Sequence, residues 1–530
     1  MDSYLITILI VSLCIATLLK SLIKNVVASH SSSSFGKKQK KLQLPPGPSP
    51  LPLIGSFMWF RKSANLEAHL REMKAKYGPV FALKIGYRPS VIIASHSSAH
   101  RALFQEGTIF SDRPESPSNP LSRIFNSNHH TVISASYGPT WRLLRRNLAS
   151  QMLHPSRSKS YSVHRRWVLS ILMNRFLNQE HISVKVFDHF RYGMFCLLVR
   201  MCFGDMIQEK KLEQMQSLMF RYLGWDLQFL RFNFFPSLAN LFLRYHSKEL
   251  LQIRKDQEQL FVPLISARIN EKREKHDDMV AYVDTLVELQ LPDEKRKLNE
   301  GEMVSLCTEF INAGTDTTTT ALQWLMAHLV KHEAVQNKLY HDIVQIVGIP
   351  PPVNMKEMRV IEENELEQMP YLKAVVLEAL RIHPPAELVL PHAVSEDVEL
   401  DGYLVPKKAV VNFMAGSMGR DPEVWEDPME FKPERFLVAD HNDDQRRSRV
   451  EFDLTSSREI KMLPFGAGRR ICPGANFAML YLQYFVANLL WYFEWKQVDG
   501  QPVDLTEKKE FTIVMKNPLM AHIIPRANRV

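Results

Sequence analysis

Cysteine is scarce in this chain of 530 residues: Cys14, Cys196, Cys202, Cys307 and Cys472 stand far apart, and no two form a C-x-x-C pair. That excludes a disulfide framework and a structural zinc site, and it reads as a body facing a reducing compartment. No segment repeats another at a fixed period, which excludes a solenoid or array. Acidic residues are in deficit, 57 against 66 Lys and Arg, for a formal net charge of +9. Such an excess suits anionic lipid, an acidic protein partner or nucleic acid. Zinc-finger spacing and an aromatic RNA-binding signature are both missing, so no nucleic-acid partner is expected. With 45% hydrophobic and 23% charged residues, long disorder is excluded as well.

The N-terminus carries an apolar run from Tyr4 to Leu19, continued to Ala28 with only Lys20 and Lys24 interrupting it. A bilayer core of ~30 Å needs about 20 such residues, and the lysine stems can reach the headgroups. Asp2 precedes the run, the lysines follow it, and no small-x-small cleavage site closes it, which favours an uncleaved signal anchor over residues 1–28. The basic run Lys37 to Lys41 then places the rest of the chain in the cytosol. Residues 29–50, with Leu44-Pro45-Pro46-Gly47-Pro48, read as a basic and Pro-rich hinge, a stiff extended connector.

Residues 51–530 read as one large domain, mainly α with minor β. Helical periodicity runs over Leu66–Tyr77, Thr140–Leu153, Lys211–Leu223, Lys248–Asn270, Met303–Val330, Tyr371–Ile382 and Ala475–Phe493. Strand-like pieces fall in Val80–Ala94, Leu388–Val394, Ala409–Met414 and Ala521–Pro525, and the charged Asp440–Arg449 reads as a solvated loop. Eight aromatics between Phe220 and Phe242 form either a core helix pair or a membrane-dipping surface that admits apolar substrate.

Chemistry concentrates in Pro464-Phe465-Gly466-Ala467-Gly468-Arg469-Arg470-Ile471-Cys472-Pro473-Gly474. Three glycines and two prolines forbid a regular element, so this is a shaped loop, and glycine allows a flat ligand close to the main chain. Cys472 stands just before the helix starting near Ala475, where the helix N-terminus favours thiolate, the form a metal ligand must take. Arg470 offers a cation to an anionic group of a cofactor. A dinucleotide reading of the glycines fails, because Ile471 fills the third glycine position.

The string is similar to the haem-binding loop of cytochrome P-450 enzymes, F-x-x-G-x-R-x-C-x-G, filled here by Phe465, Gly468, Arg470, Cys472 and Gly474. Further parts of that family's pattern follow in its order, and their wording looks most like plant microsomal members. The resemblance implies one large haem-enzyme domain, with haem b between a long central helix and the Cys-loop helix, and Cys472 on the iron. It implies that Trp141 and Arg145 contact one propionate and His392 the other. Glu378, Arg381 and Arg435 would form a buried structural network. Ala313-Gly314-Thr315-Asp316-Thr317-Thr318 matches A-G-x-D-T-T, placing Ala313 at the cofactor and Asp316 and Thr317 near bound dioxygen. Glycine and β-branched residues in mid-helix also suggest a local distortion there, with Gly314 admitting a planar ligand.

The activity so implied is insertion of one atom of dioxygen into a small apolar substrate. The chain holds no flavin domain or nucleotide motif, so electrons from NADPH would come through a separate NADPH–haemoprotein reductase at the endoplasmic reticulum membrane. A haem-thiolate isomerase or dehydratase is the nearest alternative, and it typically lacks the acid–threonine pair. A non-catalytic membrane haem or lipid carrier would need no proton relay.

Overall fold

The computed structural model describes residues 42–48, 66–85, 88–114, 131–178, 183–204, 207–232, 236–274, 279–353, 355, 357–439 and 448–527. The anchor read at 1–28 lies outside them, as does most of the charged stretch at 440–449. Among the described residues no helix is long and apolar enough to cross a membrane.

The first elements are α1 (Leu66–Tyr77), β1 (Val80–Ile85), β2 (Arg88–Ile93), α2 (Pro139–Asn147), α3 (Ser162–Leu177), β3 (Val184–Lys185) and α4 (Val186–Phe203). The middle of the chain is helical: α5 (Glu209–Phe232), α6 (Pro236–Glu274), α7 (Glu300–Lys331), α8 (Glu333–Val347) and α9 (Pro370–Ile382). Then come β4 (His392–Ala393), β5 (Val410–Phe413), α10 (Ala475–Tyr492), β6 (Phe493–Gln497), the hairpin β7 (Glu507–Lys509) and β8 (Ile513–Met515), and β9 (Met520–Pro525). The mainly α reading with minor β therefore holds.

The central helix α7 starts where Asn299 and Glu302 cap each other, side chain to backbone N–H, at 2.9 and 2.8 Å. It runs unbroken through its threonines. The hydroxyls of Thr308, Thr315, Thr317 and Thr319 donate to carbonyls four residues back, at 2.6–2.8 Å, so the β-branched cluster is satisfied inside the helix. The distortion expected at Gly314 is thus not a break in the helix. Nor is the bare side of Gly314 turned to a ligand: a Cβ there would lie 2.8 Å from Leu198, so the glycine brings α4 close against α7.

Two sheets flank the helices. One has the order β1-β2-β5-β4, with β2 and β5 parallel and the outer pairs antiparallel. The other, β6-β9-β3, is antiparallel. The β7–β8 hairpin docks on α7 through Thr320 and Thr512, hydroxyl to hydroxyl at 2.7 Å, and through Trp324 Nε1 donating to Ile513 O at 2.7 Å. The Pro-rich connector is bonded to the body, since Leu404 N–H donates to Gln43 O and Ala82 N–H to Pro46 O, both at 2.8 Å, and Pro45 is buried.

Glu378 and Arg381 on α9 are both fully buried and paired at 2.7 and 2.9 Å. Glu378 also accepts from Arg435 Nε at 3.0 Å and from Lys432 N–H at 2.9 Å. Arg381 spends a third donor on Gly419 O at 2.6 Å. One carboxylate thereby ties α9 to the segment after residue 430. Removing one partner strands a buried charge, which costs about 3–5 kcal/mol. Arg381→Ala should lower the apparent unfolding temperature markedly and deplete cofactor-loaded protein, whereas an unchanged unfolding profile would contradict this role.

Candidate active site

Cys472 lies three residues ahead of α10 in a loop closed by its own N–H, which donates to Phe465 O at 2.9 Å. Gly468 takes φ +69°, and a Cβ there would stand 2.3 Å from Leu103 O. The room that only glycine leaves at Gly468 is therefore filled by the neighbouring chain, not left for a flat ligand. Gly466, also at positive φ, abuts Val389. Cys472 is half-exposed although it lies deep in the protein, and its sulfur accepts from the Gly474 N–H.

Burial pushes the Cys472 thiol up, and the Gly474 N–H and Arg145 pull it back only in part. For the sulfur by itself, burial outweighs the helix terminus, the reverse of the sequence expectation. A coordinated metal cation is what restores the thiolate in such a place.

Trp141 and Arg145 sit one turn apart on α2, and both reach the loop. Arg145 Nη2 donates to Ile471 O at 2.6 Å, beside the cysteine. Trp141 Nε1 donates to Val132 O at 3.2 Å, and Arg470 stacks 4.4 Å over the indole. Arg470 donates to Ser111 O (2.8 Å), Val132 O (3.3 Å) and Ala135 O (2.7 Å). Arg113, which sequence reasoning missed, donates to Ile133 O, Leu390 O and Pro391 O at 2.7–3.0 Å.

Two of these cations depress the third. Burial first and then Arg113 pull Arg470 down to about 9, with Arg145 adding to the effect. Arg113 falls to about 10 through burial, against the pull of Glu309 and Asp112. His392 is buried and donates Nδ1–H to Phe110 O at 2.6 Å, and burial followed by Arg113 holds its ring down to about 3. The neutral ring then offers Nε2 only as an acceptor.

On α7, Ala313 is exposed and Gly314 and Thr317 are half-exposed, although nearly every neighbour in that stretch is buried. Thr317 Oγ1 donates to Ala313 O at 2.6 Å. Asp316 lies on the flank, buried, with Arg191 Nε of α4 donating to Oδ1 at 2.7 Å. Arg191 in turn lies 3.9 Å over Phe220. Burial raises the Asp316 carboxyl, Arg191 opposes this, and Glu510 adds to it. Of the aromatic cluster, Trp225 is buried and Phe220 exposed. The side chains of Phe229, Phe232, Phe234, Phe235 and Phe242 lie outside the described residues.

Two residues link the walls. Glu309, one turn before Ala313, accepts the N–H groups of Val132 and Ile133 at 2.9 and 2.6 Å, and Val132 O accepts from Trp141 and Arg470. The Cys472 loop and the central helix thus lie on two sides of one short segment. Among the described residues Arg145 and Arg470 form no ion pair with a carboxylate. A partly exposed cysteine in the field of Arg145, with Arg470 on the same loop, suits a metal-containing cofactor that carries carboxylates, and haem fits that donor set.

The family model described as Cytochrome P450 matches residues 45–524. The chain is 43% identical to "Cytochrome P450 89A9" of Arabidopsis thaliana over 497 residues, 91% of this chain and 94% of that one. It is 29% identical to "Flavonoid 3'-monooxygenase" of Arabidopsis thaliana, covering 91% and 92% of the two chains. With "Germacrene A acid 8-beta-hydroxylase" of Inula hupehensis the identity is 28%, covering 91% and 92%.

Arg191 had no signal in the sequence, because its partner is 125 residues away. Since Arg191 lowers what burial raises at Asp316, Arg191→Ala should move the carboxyl titration to higher pH. Infrared titration reads this directly: the protonated-carboxyl band that Asp316→Asn removes should persist to higher pH in Arg191→Ala. A band that titrates as in the unaltered protein would show that the contact does not act on the acid.

Proposed function

Because the chain belongs to the cytochrome P450 family and is a haem-thiolate monooxygenase, we propose that Cys472 would supply the thiolate that holds its haem iron. In this reading the Cys472 loop and the open stretch of α7 are the two walls of the haem pocket. The observation that carries it is the deep-lying Cys472 thiol in the field of Arg145, a guanidinium that forms no ion pair with a carboxylate among the described residues. When bound, haem supplies the activation of dioxygen with NADPH-derived electrons, and thiolate ligation favours O–O cleavage.

The chain's own residues bind, orient and move protons. Arg145 and Arg470 hold the propionates, helped by Arg113, each as a charge-assisted donor. Trp141 keeps Arg470 in place through the ring stack, and Phe465, Gly468 and Gly474 fix the loop that presents the sulfur. His392 can donate to a propionate only after Nε2 takes up a proton, which a nearby carboxylate favours. Its share of propionate binding is therefore conditional.

Ala313 leaves room beside the cofactor. Thr317 Oγ1, whose own proton is committed to Ala313 O, is left as an acceptor toward the open side and can hold a water there. Asp316, with a carboxyl raised by burial, holds a proton closer to neutrality than an exposed acid would, which suits a group that gives and takes protons. Arg191 fixes one of its oxygens and leaves the other for that exchange.

A redox partner reductase supplies the electrons, and the substrate is small. Arg142, Arg146 and Arg469 are exposed on the side of α2 and the Cys472 loop, which suits docking of an acidic flavin domain from a separate NADPH–haemoprotein reductase. Residues 1–28 would anchor the chain in the endoplasmic reticulum membrane, with residues 29–50 as hinge and 51–530 as a cytosolic catalytic domain. The activities named for the relatives, a monooxygenase and a hydroxylase, favour hydroxylation of a small apolar plant metabolite.

Cys472→Ala should abolish the thiolate-type carbon monoxide difference band of the reduced protein; a retained band overturns the ligand assignment. Thr317→Ala should keep that band while product formation falls by about a hundredfold and NADPH consumption shifts to peroxide. Tight coupling in that variant would sink the proton-holding role. NADPH consumption that depends on substrate and reductase also separates the monooxygenase from a carrier or an isomerase.

A further inference from the structure

Glu309, Ala313 and Thr317 are spaced by one turn each along α7, so they share the open face of the helix. Glu309 Oε2 accepts from Val132 N–H at 2.9 Å and Oε1 from Ile133 N–H at 2.6 Å. The Thr131 hydroxyl bonds to the same carboxylate. All three donors belong to one tight turn, residues 131–135, closed by Ala135 N–H donating to Thr131 O at 2.9 Å and by the Thr131 and Ser134 hydroxyls at 3.0 Å.

The carbonyls of that turn go to cations. Ile133 O accepts from Arg113 Nε at 2.8 Å, Ala135 O from Arg470 Nη2 at 2.7 Å, and Val132 O from Arg470 and Trp141. One peptide of the turn, Val132 C=O to Ile133 N–H, therefore runs from the carboxylate on α7 to Arg470 at the Cys472 loop. In that peptide each end supports the other, because an N–H bonded to Glu309 polarises the carbonyl that Arg470 and Trp141 grip. An alanine at 309 would leave two backbone donors without this acceptor while the arginines still pulled from the opposite side.

We propose that Glu309 is a positioning residue that clamps the turn 131–135 against α7 as a wall of the substrate space, and that this clamp sets how bulky a molecule can reach the iron. The proposal deepens the reading of that space as the haem pocket and rests on it. Its chemistry is separate from the proton-handling groups, since the carboxylate is occupied by backbone donors.

The test uses the full-length, haem-loaded protein and its Glu309→Ala and Glu309→Gln variants, each checked for the thiolate-type carbon monoxide band. Hydrogen–deuterium exchange over 131–136 reads the clamp, and spectral titration with imidazole and with clotrimazole reads access for a small and a bulky iron ligand. In Glu309→Ala, exchange at Val132 and Ile133 should rise about tenfold or more, and the imidazole-to-clotrimazole ratio of Kd values should shift about tenfold toward the bulky probe. Glu309→Gln, which keeps one accepting oxygen, should fall between, and it carries the test if the alanine variant does not retain haem. Unchanged exchange and an unchanged azole ratio with the band intact overturn the clamp. A missing thiolate-type band in the unaltered protein instead overturns the haem-pocket reading beneath it.

Discussion

Three guanidinium groups, those of Arg113, Arg145 and Arg470, lie in one another's field inside the protein, and much of the site is arranged by the need to give them oxygen. A guanidinium cannot shed its proton to escape burial, so each must find acceptors. The turn 131–135, the strand lead-in at Leu390 and Pro391, and the carbonyls of Ser111 and Ile471 supply them. Carbonyl dipoles solvate these charges without cancelling them. The result is a cationic cluster, eased only in part by Asp112 and Glu309, and an anionic cofactor is the chemistry that would suit it. Geometry and charge here have a single cause.

Around Glu378 the chain pairs its buried charges, and the contrast separates architecture from chemistry. Glu378 neutralises Arg381 and bonds Arg435, so that network is closed and asks for nothing more. Asp316 and Arg191 are intermediate: the pair is close, at 2.7 Å, yet burial still raises the acid and Glu510 adds to it. A carboxyl left partly unsatisfied beside an open stretch of helix is a group that can exchange a proton. One fully locked inside a triad is not.

Legibility in the sequence followed how local each cause is. The helix Leu66–Tyr77 coincides with its periodic pattern, and α7, α9 and α10 fall within a few residues of theirs, because amphipathic spacing and caps are read from neighbours. The Cys472 loop was legible because glycine and proline exclude regular structure. Glycine roles were less legible. Gly314 and Gly468 looked like room for a ligand, and both turn out to admit protein, Leu198 in one case and the Leu103 carbonyl in the other. Glu309 escaped notice because an acid in a helix is ordinary until the turn it holds, 176 or more residues away, comes beside it. The state of His392 was also hidden, since its tautomer depends on the Phe110 carbonyl and its charge on Arg113.

Cys472 shows why ligand and metal have to be considered together. The Gly474 N–H and the Arg145 charge both favour thiolate, and burial defeats them. The thiol at this helix N-terminus is therefore held toward its protonated form. Coordination reverses the balance, because a cation at bonding distance outweighs the loss of solvent. The same thiolate then adds negative charge beside Arg145, whose pKa burial lowers and the cysteine raises. In the proposed haem site, ligand, arginine and cofactor carboxylates would stabilise one another's charged forms. That mutual dependence fixes the oxidant the chain uses. The choice of target belongs to the apolar walls, and among them to the turn that the carboxylate of Glu309 holds.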